Sequence, residues 1–253
     1  MTHILVTNDD GVFSEGILLL AKSLAELCDV TVVAPDREQS ASGHSLTLHR
    51  PLRLRQLEER MYSVDGTPTD CVNLAINWLL KDDRPDLVVS GINFGSNLGD
   101  DVTYSGTVSA TFEGTLLGIP SVAVSQEISD HFSFGPAARF ARKLVEFLLD
   151  SDLPDDFLLN VNIPAGRIEG VELTKLGRRY YNQSVVEKVD PRGRTYFWIG
   201  GTPESEGQKG TDIGAVARNR VAITPLHLDL TDYRGLESYD WLLRKLTDSP
   251  DGA

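Results

Sequence analysis

Four short segments carry residue types able to do chemistry. The first is Asn8-Asp9-Asp10-Gly11, directly after the apolar run Ile4-Leu5-Val6. Two adjacent carboxylates repel each other, and a bound cation is the usual reason to tolerate them. Past the end of a strand, Gly11 permits a turn that brings both toward one point. The second segment runs from Ser90 to Asp101 and holds Gly91, Gly95 and Gly99, the amides Asn93 and Asn97, and a second acidic pair, Asp100-Asp101. Amide oxygens are neutral ligands for hard cations, and spaced glycines allow close backbone approach. The third is Tyr104-Ser105-Gly106-Thr107, opening a helical pattern with Val108, Phe112 and Leu116 on one face. Hydroxyls and unpaired N–H groups at a helix N-terminus make an anion site, although Ser105 alone also reads as an ordinary N-cap. The fourth, Asp36 to Ser45, is a small, polar, serine-rich loop carrying Ser40, Gly43 and His44.

Carboxylates, an amide oxygen and a hydroxyl form a hard oxygen set suited to Mg²⁺, Mn²⁺ or Ca²⁺ rather than zinc. A metal site of that kind facing a helix N-terminus points to phosphoryl chemistry, because the metal holds a phosphate oxygen and acidifies a water. His3, His49, His131 and His227 are scattered and read as structural or exposed; His44 stands apart because of its serine loop.

The elements that must position these segments follow from periodicity. Strand runs at residues 4–6, 30–34, 86–90, 121–125 and 157–162 alternate with helical patterns at 15–27, 68–80, 107–117 and 137–149. Ser14 is placed to cap the first helix, and Pro68 sits near the first position of the second. An insertion at 50–65 reads as a hairpin. Strands alternating with helices give an α/β fold, a Rossmann-like doubly wound, mostly parallel sheet between two helical layers. Residues 1–165 form this core. Residues 166–253 read as an extended, aromatic C-terminal region with a strand at 221–226 and a helix at 240–246, packed on the core or on another subunit. Ligands of such sheets bind outside the carboxyl ends of the strands, where all four segments fall.

The chain has 253 residues, 24 Lys and Arg against 37 Asp and Glu, a formal net charge of −13 and 41% hydrophobic residues. That apolar fraction belongs to a folded chain, and the acidity disfavours nucleic acid polymers and anionic membranes as partners. It leaves a single phosphorylated substrate open, since a bound metal reverses the local sign. Cys28 and Cys71 read as buried free thiols. No apolar stretch approaches the ~20 residues of a membrane helix and no signal-peptide pattern is visible, so a cytoplasmic location is expected.

Ile4 to Gly11, Ala34 to Thr47, Gly66-Thr67-Pro68-Thr69-Asp70-Cys71-Val72, Ser90-Gly91-Ile92-Asn93 and Tyr104 to Val108 together resemble the SurE survival-protein family. Val221 to Leu226 echoes that family's C-terminal strand. The resemblance implies a 5′/3′-nucleotidase that hydrolyses nucleoside monophosphates with one divalent cation per subunit. It implies Asp9, Asp10, Ser40 and Asn93 as metal ligands, with Asp9 and Asp10 catalytic. It implies Ser105, Gly106 and Thr107 as phosphate contacts, and Asn8, Asn97, Gly43 and His44 are expected with them as phosphate- or substrate-binding residues. A homodimer or homotetramer that exchanges C-terminal segments is implied as well.

Other readings fit less well. A receiver domain would be about half this length, and an aspartyl-nucleophile phosphatase needs a DxD spacing that Asp9-Asp10 lacks. A dehydrogenase would leave its first strand through GxGxxG rather than NDDG. A non-enzymatic nucleotide- or metal-binding module could use the same site; phosphate release distinguishes it.

Overall fold

Short β-branched runs bounded by turn residues become buried parallel strands, and the structure, a computed structural model describing residues 2–182, 185–205 and 207–247, is built around them. In chain order these are β1 (His3–Thr7), α1 (Glu15–Leu24), β2 (Asp29–Pro35), β3 (Leu54–Glu58), β4 (Met61–Val64) and α2 (Pro68–Leu74). Then come β5 (Leu87–Phe94), α3 (Gly106–Leu116), β6 (Ser121–Gln126), α4 (Gly135–Leu149) and β7 (Leu158–Ile163). The C-terminal region adds β8 (Gly170–Leu173), β9 (Arg179–Asn182), β10 (Val185–Val189), β11 (Thr195–Ile199), β12 (Thr202–Ser205), α5 (Asp212–Val216), β13 (Arg220–Pro225), α6 (Tyr233–Ser238) and α7 (Asp240–Thr247).

Nine strands form one sheet in the order β3-β4-β2-β1-β5-β6-β7-β13-β8. The pairs from β4 through β7 are parallel, while β3 and β13 each run antiparallel to a neighbour, β4 and β7. Chain direction across the sheet reverses between β1 and β5, so a crevice opens there at the strands' carboxyl ends.

Alternation of side chains along each strand divides the core into two layers. Ile4, Val6, Leu87, Val89, Val122 and Val124 pack with Ile17, Leu20 and Ala141 of α1 and α4. Leu5, Val33 and Val88 face the other way, onto Cys71, Val72 and Ala110 of α2 and α3. Both cysteines are free; Cys71 is buried, whereas Cys28 is only partly so. No helix among the described residues is long and apolar enough to cross a membrane.

Two local expectations are corrected. Ser14 occupies the N-cap of α1 but makes no capping hydrogen bond; its Oγ accepts from Asn8 Nδ2 at 2.8 Å instead. The helix expected at 68–80 is α only to Leu74 and widens into a π-turn over Ala75–Leu79. Its start is well specified, since Thr67 and Asp70 form a reciprocal capping box with Pro68 at the first turn.

In the C-terminal region, β8 and β13 are integral to the main sheet, and β9–β12 and β10–β11 make two small antiparallel ribbons. Asp212, fully buried at the start of α5, binds the region to the crevice. Its Oδ2 accepts from Gly99 N at 2.8 Å and its Oδ1 from Gly177 N at 2.7 Å. Asp212→Ala strands both amides, at roughly 1–3 kcal/mol each. Urea unfolding of D212A is therefore expected to show a loss of about 3 kcal/mol.

Candidate functional site

Asp9 leaves β1 almost fully buried, and α3 arrives with its N-terminus against it. The Thr107 hydroxyl and the Thr107 backbone N–H both donate to the Asp9 carboxylate. That approach requires Gly106: a Cβ there would stand 2.8 Å from Asp9 Cβ and 2.8 Å from Ser42 Oγ. The anion held by this helix N-terminus is thus Asp9 itself. Burial nevertheless dominates. It pushes the Asp9 carboxyl up to about 6, against the lowering effect of Thr107 and with a further push from Asp10. Asp10 is also raised by burial, opposed by the Phe94 N–H that its Oδ2 accepts at 3.3 Å and reinforced by Glu38.

Asn93 reaches the site through an irregularity in β5. The pairing of β5 with β6 runs Gly91↔Val124 and then Asn93↔Ser125, so one residue is inserted and the strand end is re-aimed. Gly91 has φ +139°, and a Cβ there would lie 2.3 Å from the Val124 carbonyl oxygen, so only glycine fits. Asn93 Nδ2 donates to Gly95 O at 2.8 Å. The amide is thereby oriented with its oxygen left for another partner.

A cleft of about 610 Å³ gathers Asp9, Asp10, Ser40, Asn93, Asn97 and Ser105. Segments separated by most of a hundred residues therefore meet at the β1–β5 crevice. Ser105 caps α3 by accepting from Val108 N at 3.1 Å, which leaves its hydroxyl proton free to donate. Ser40 donates to Glu38 Oε1 at 2.6 Å. Asn97 Nδ2 donates to Ser125 Oγ, and its backbone is held by Asn160 and Asn162 of β7.

The remaining candidates lie behind the cleft. Asn8 is fully buried, donating to Gly11 O and Ser14 Oγ, and sets the turn that carries the aspartates. Thr107 is fully buried and Gly106 is walled in by Asp9 and Ser42, so their side of α3 holds Asp9. Gly43 donates its N–H to Tyr104 O at 3.1 Å. His44 Nε2 meets Glu113 Oε2 of α3 at 3.0 Å, and Glu113 Oε1 accepts from Asn73 of α2. The histidine thus moors the serine loop to both helices.

The cleft also contains residues that sequence patterns did not single out as a group: Glu38, Phe94, Asp101, Tyr104, Tyr181 and Ile199. Phe94 follows Asn93 within β5, so adjacency was its available signal, whereas Tyr104 belongs to the third segment itself. Tyr181 and Ile199 come from the C-terminal region and carried none. The Asp100-Asp101 pair now has partners. Asp100 accepts Arg179 N, and Asp101 takes the Arg179 guanidinium at 2.8 Å and the Tyr181 hydroxyl at 2.7 and 2.8 Å. Burial and the Asp101 carboxylate push the Tyr181 phenol up to about 12.

The donors fit a hard divalent cation: two carboxylates with an amide oxygen and a hydroxyl beside them, at a place where burial penalises uncompensated charge. Among the described residues the cleft lining has four carboxylates and no Lys, Arg or His, so no described side chain there offers a phosphate positive charge. A cation would supply it.

Comparison with known proteins agrees with this architecture. The family model described as "Survival protein SurE" matches residues 4–183. The chain is 53% identical to the "5'-nucleotidase SurE" of Myxococcus xanthus, over 99% of this chain and 98% of that one. It is also 53% identical to the protein of the same name from Geobacter sulfurreducens, over 99% of each. The crystal structure of the Sure protein from Aquifex aeolicus superposes with a TM-score of 0.85 at 45% identity, covering 95% of this chain and 99% of that one. With a family model matching residues 4–183 and a relative 53% identical over nearly the whole of both chains, the chain belongs to the SurE survival-protein family.

Proposed function

We propose that the chain is a divalent-metal-dependent phosphomonoester hydrolase, a 5′/3′-nucleotidase that releases phosphate from nucleoside monophosphates. The observation that carries this reading is the convergence of Asp9, Asp10, Ser40, Asn93 and Ser105 in one cleft that has no basic side chain among the described residues. The names of the Myxococcus and Geobacter relatives support the nucleotide part of it.

Asp9, Asp10, Ser40 and Asn93 would hold one Mg²⁺ or Mn²⁺ per subunit, with Ca²⁺ as an alternative occupant. Bound there, the cation supplies charge neutralisation for the phosphate and a lowered pKa for an attacking water. The chain's own residues do the rest. Thr107 fixes the Asp9 carboxylate through two hydrogen bonds and so sets the direction of its remaining lone pairs. Ser105, whose oxygen is already committed to Val108 N, donates its proton to a phosphate oxygen. Asp10 engages Phe94 N through Oδ2, and one of the two aspartates would take the water's proton. The family reading also carries a homodimer or homotetramer. The exposed Val185, Phe197 and Trp198 on the β10–β11 ribbon, with Trp241 and Leu243 on α7, support it as apolar surface for a second subunit.

The deciding experiment is phosphate release from a panel of nucleoside monophosphates, before and after EDTA, with Mn²⁺ or Mg²⁺ added back. Activity lost to the chelator and restored by metal is expected; release indifferent to EDTA would sink the metal mechanism. Asp9→Asn should abolish turnover while its far-ultraviolet circular dichroism stays that of the wild type. Thr107→Val keeps the shape but removes one donor to Asp9. It should lower metal affinity or kcat/KM by about 10–100-fold, the usual cost of losing a group that orients a metal ligand.

A further inference from the structure

We propose that Tyr181, held in place by Asp101, forms with Phe94 and Tyr104 an aromatic platform that receives the base of a nucleoside monophosphate. This clasp then sets the preference for nucleotides over base-free phosphomonoesters. The inference rests on the phosphatase reading of the same cleft and names what its aromatic lining recognises.

The lining of the cleft is of two chemistries. Asp9, Asp10, Ser40 and Asn93 bring polar oxygens to it, whereas Phe94, Tyr104, Tyr181 and Ile199 bring apolar surface to the same cavity. Three of those four are aromatic, and all four remain substantially open to solvent. A cavity of about 610 Å³ exceeds what a phosphate group alone fills and lies within the usual range for small-molecule sites. Among the described residues no cationic side chain lines it, and Arg179 beside it is paired with Asp101. What the cavity offers is π-surface, which binds any nucleobase face and is tolerant of base identity.

Two of the rings are positioned rather than merely exposed. Phe94 meets Phe132 edge-on at 4.8 Å, and Phe134 is 4.7 Å from Phe132. Tyr181 is anchored at its tip by the two Asp101 oxygens, and the Arg179 guanidinium lies 5.9 Å from its ring centre. Arg179 itself is tied to Asp101 by its side chain and to Asp100 by its backbone. Asp100-Asp101 therefore works as a latch. It holds a residue of the C-terminal region over a site whose other parts come from the ends of β1 and β5, the serine loop and the start of α3. In this scheme Tyr181 touches the base, and Asp101 is a positioning residue.

The test compares adenosine 5′-monophosphate with ribose 5-phosphate, which has the same phosphoester and no base, on the same metal-loaded preparation. Because both are assayed on one sample, the fraction of correctly folded enzyme cancels in the ratio of their kcat/KM values. Tyr181→Ala is expected to lower that ratio about tenfold, chiefly through KM for the nucleotide, the scale of losing one base-stacking ring. Asp101→Ala should lower the ratio in the same sense, and Tyr181→Phe, which keeps the ring, should recover most of it. An unchanged ratio in Tyr181→Ala, with the wild type active on both substrates, overturns the platform and leaves the phosphatase reading standing. A wild type that releases phosphate from neither substrate with Mg²⁺ or Mn²⁺ overturns both.

Discussion

Two adjacent carboxylates at the end of β1, one buried and one half-buried, are the constraint around which the rest of the crevice is arranged. Asp9 is nearly fully buried, and its carboxyl stands well above the usual carboxylate range even with two hydrogen bonds from Thr107. Such a group is stable in one orientation only if its surroundings are rigid. The rigidity comes from a helix N-terminus brought so close that Gly106 has no room for a side chain, and from Asn8 closing the turn beneath. The same crowding leaves the outward side of the pair facing Ser40 and Asn93. The dipole of α3 stabilises the negative charge of Asp9 and at the same time positions Ser105 at the cleft.

The acidity of the chain acquires a division of labour in this arrangement. One pair, Asp9-Asp10, lies at the strand end with Asp9 buried and Asp10 half-buried, and it is poorly compensated by protein groups. The other, Asp100-Asp101, is almost wholly committed to Arg179 and Tyr181 and serves as a fastening. In sequence the two pairs look alike; their partners make one reactive in character and the other mechanical.

The parallel core was readable because burial on both faces imposes continuous apolar runs, as in Ile4-Leu5-Val6 and Leu87-Val88-Val89, and because helices between them repeat at 3.6 residues. The strand-exit rule then located Asp9, Asp10, Asn93 and Ser105 at one edge. Roles set by long-range partners were not readable. His44 looks like a site histidine until Glu113, 69 residues on, takes its ring nitrogen. Ser14 has the type and position of a cap, but Asn8 claims its oxygen. Tyr181 sits in exposed, polar-interrupted sequence without a helical or alternating pattern, and only the Asp101 contact reveals where it is held. In the C-terminal region, β8 and α5 are too short, at 4 and 5 residues, for periodicity to register.

The position of β13 has a consequence for how the molecule is made. It lies between β7 and β8, antiparallel to the first and parallel to the second, so β8 joins the sheet only through a strand some fifty residues later. A ribosome delivers the N-terminal strands first. The nascent chain therefore carries β7 with an open hydrogen-bonding edge until residues 220–225 have emerged. Asp212 arrives in the same stretch, so the Gly99 turn gains its anchor as that edge is closed. Completion of the sheet and anchoring of the Gly99 turn thus both wait on the C-terminal region of the chain.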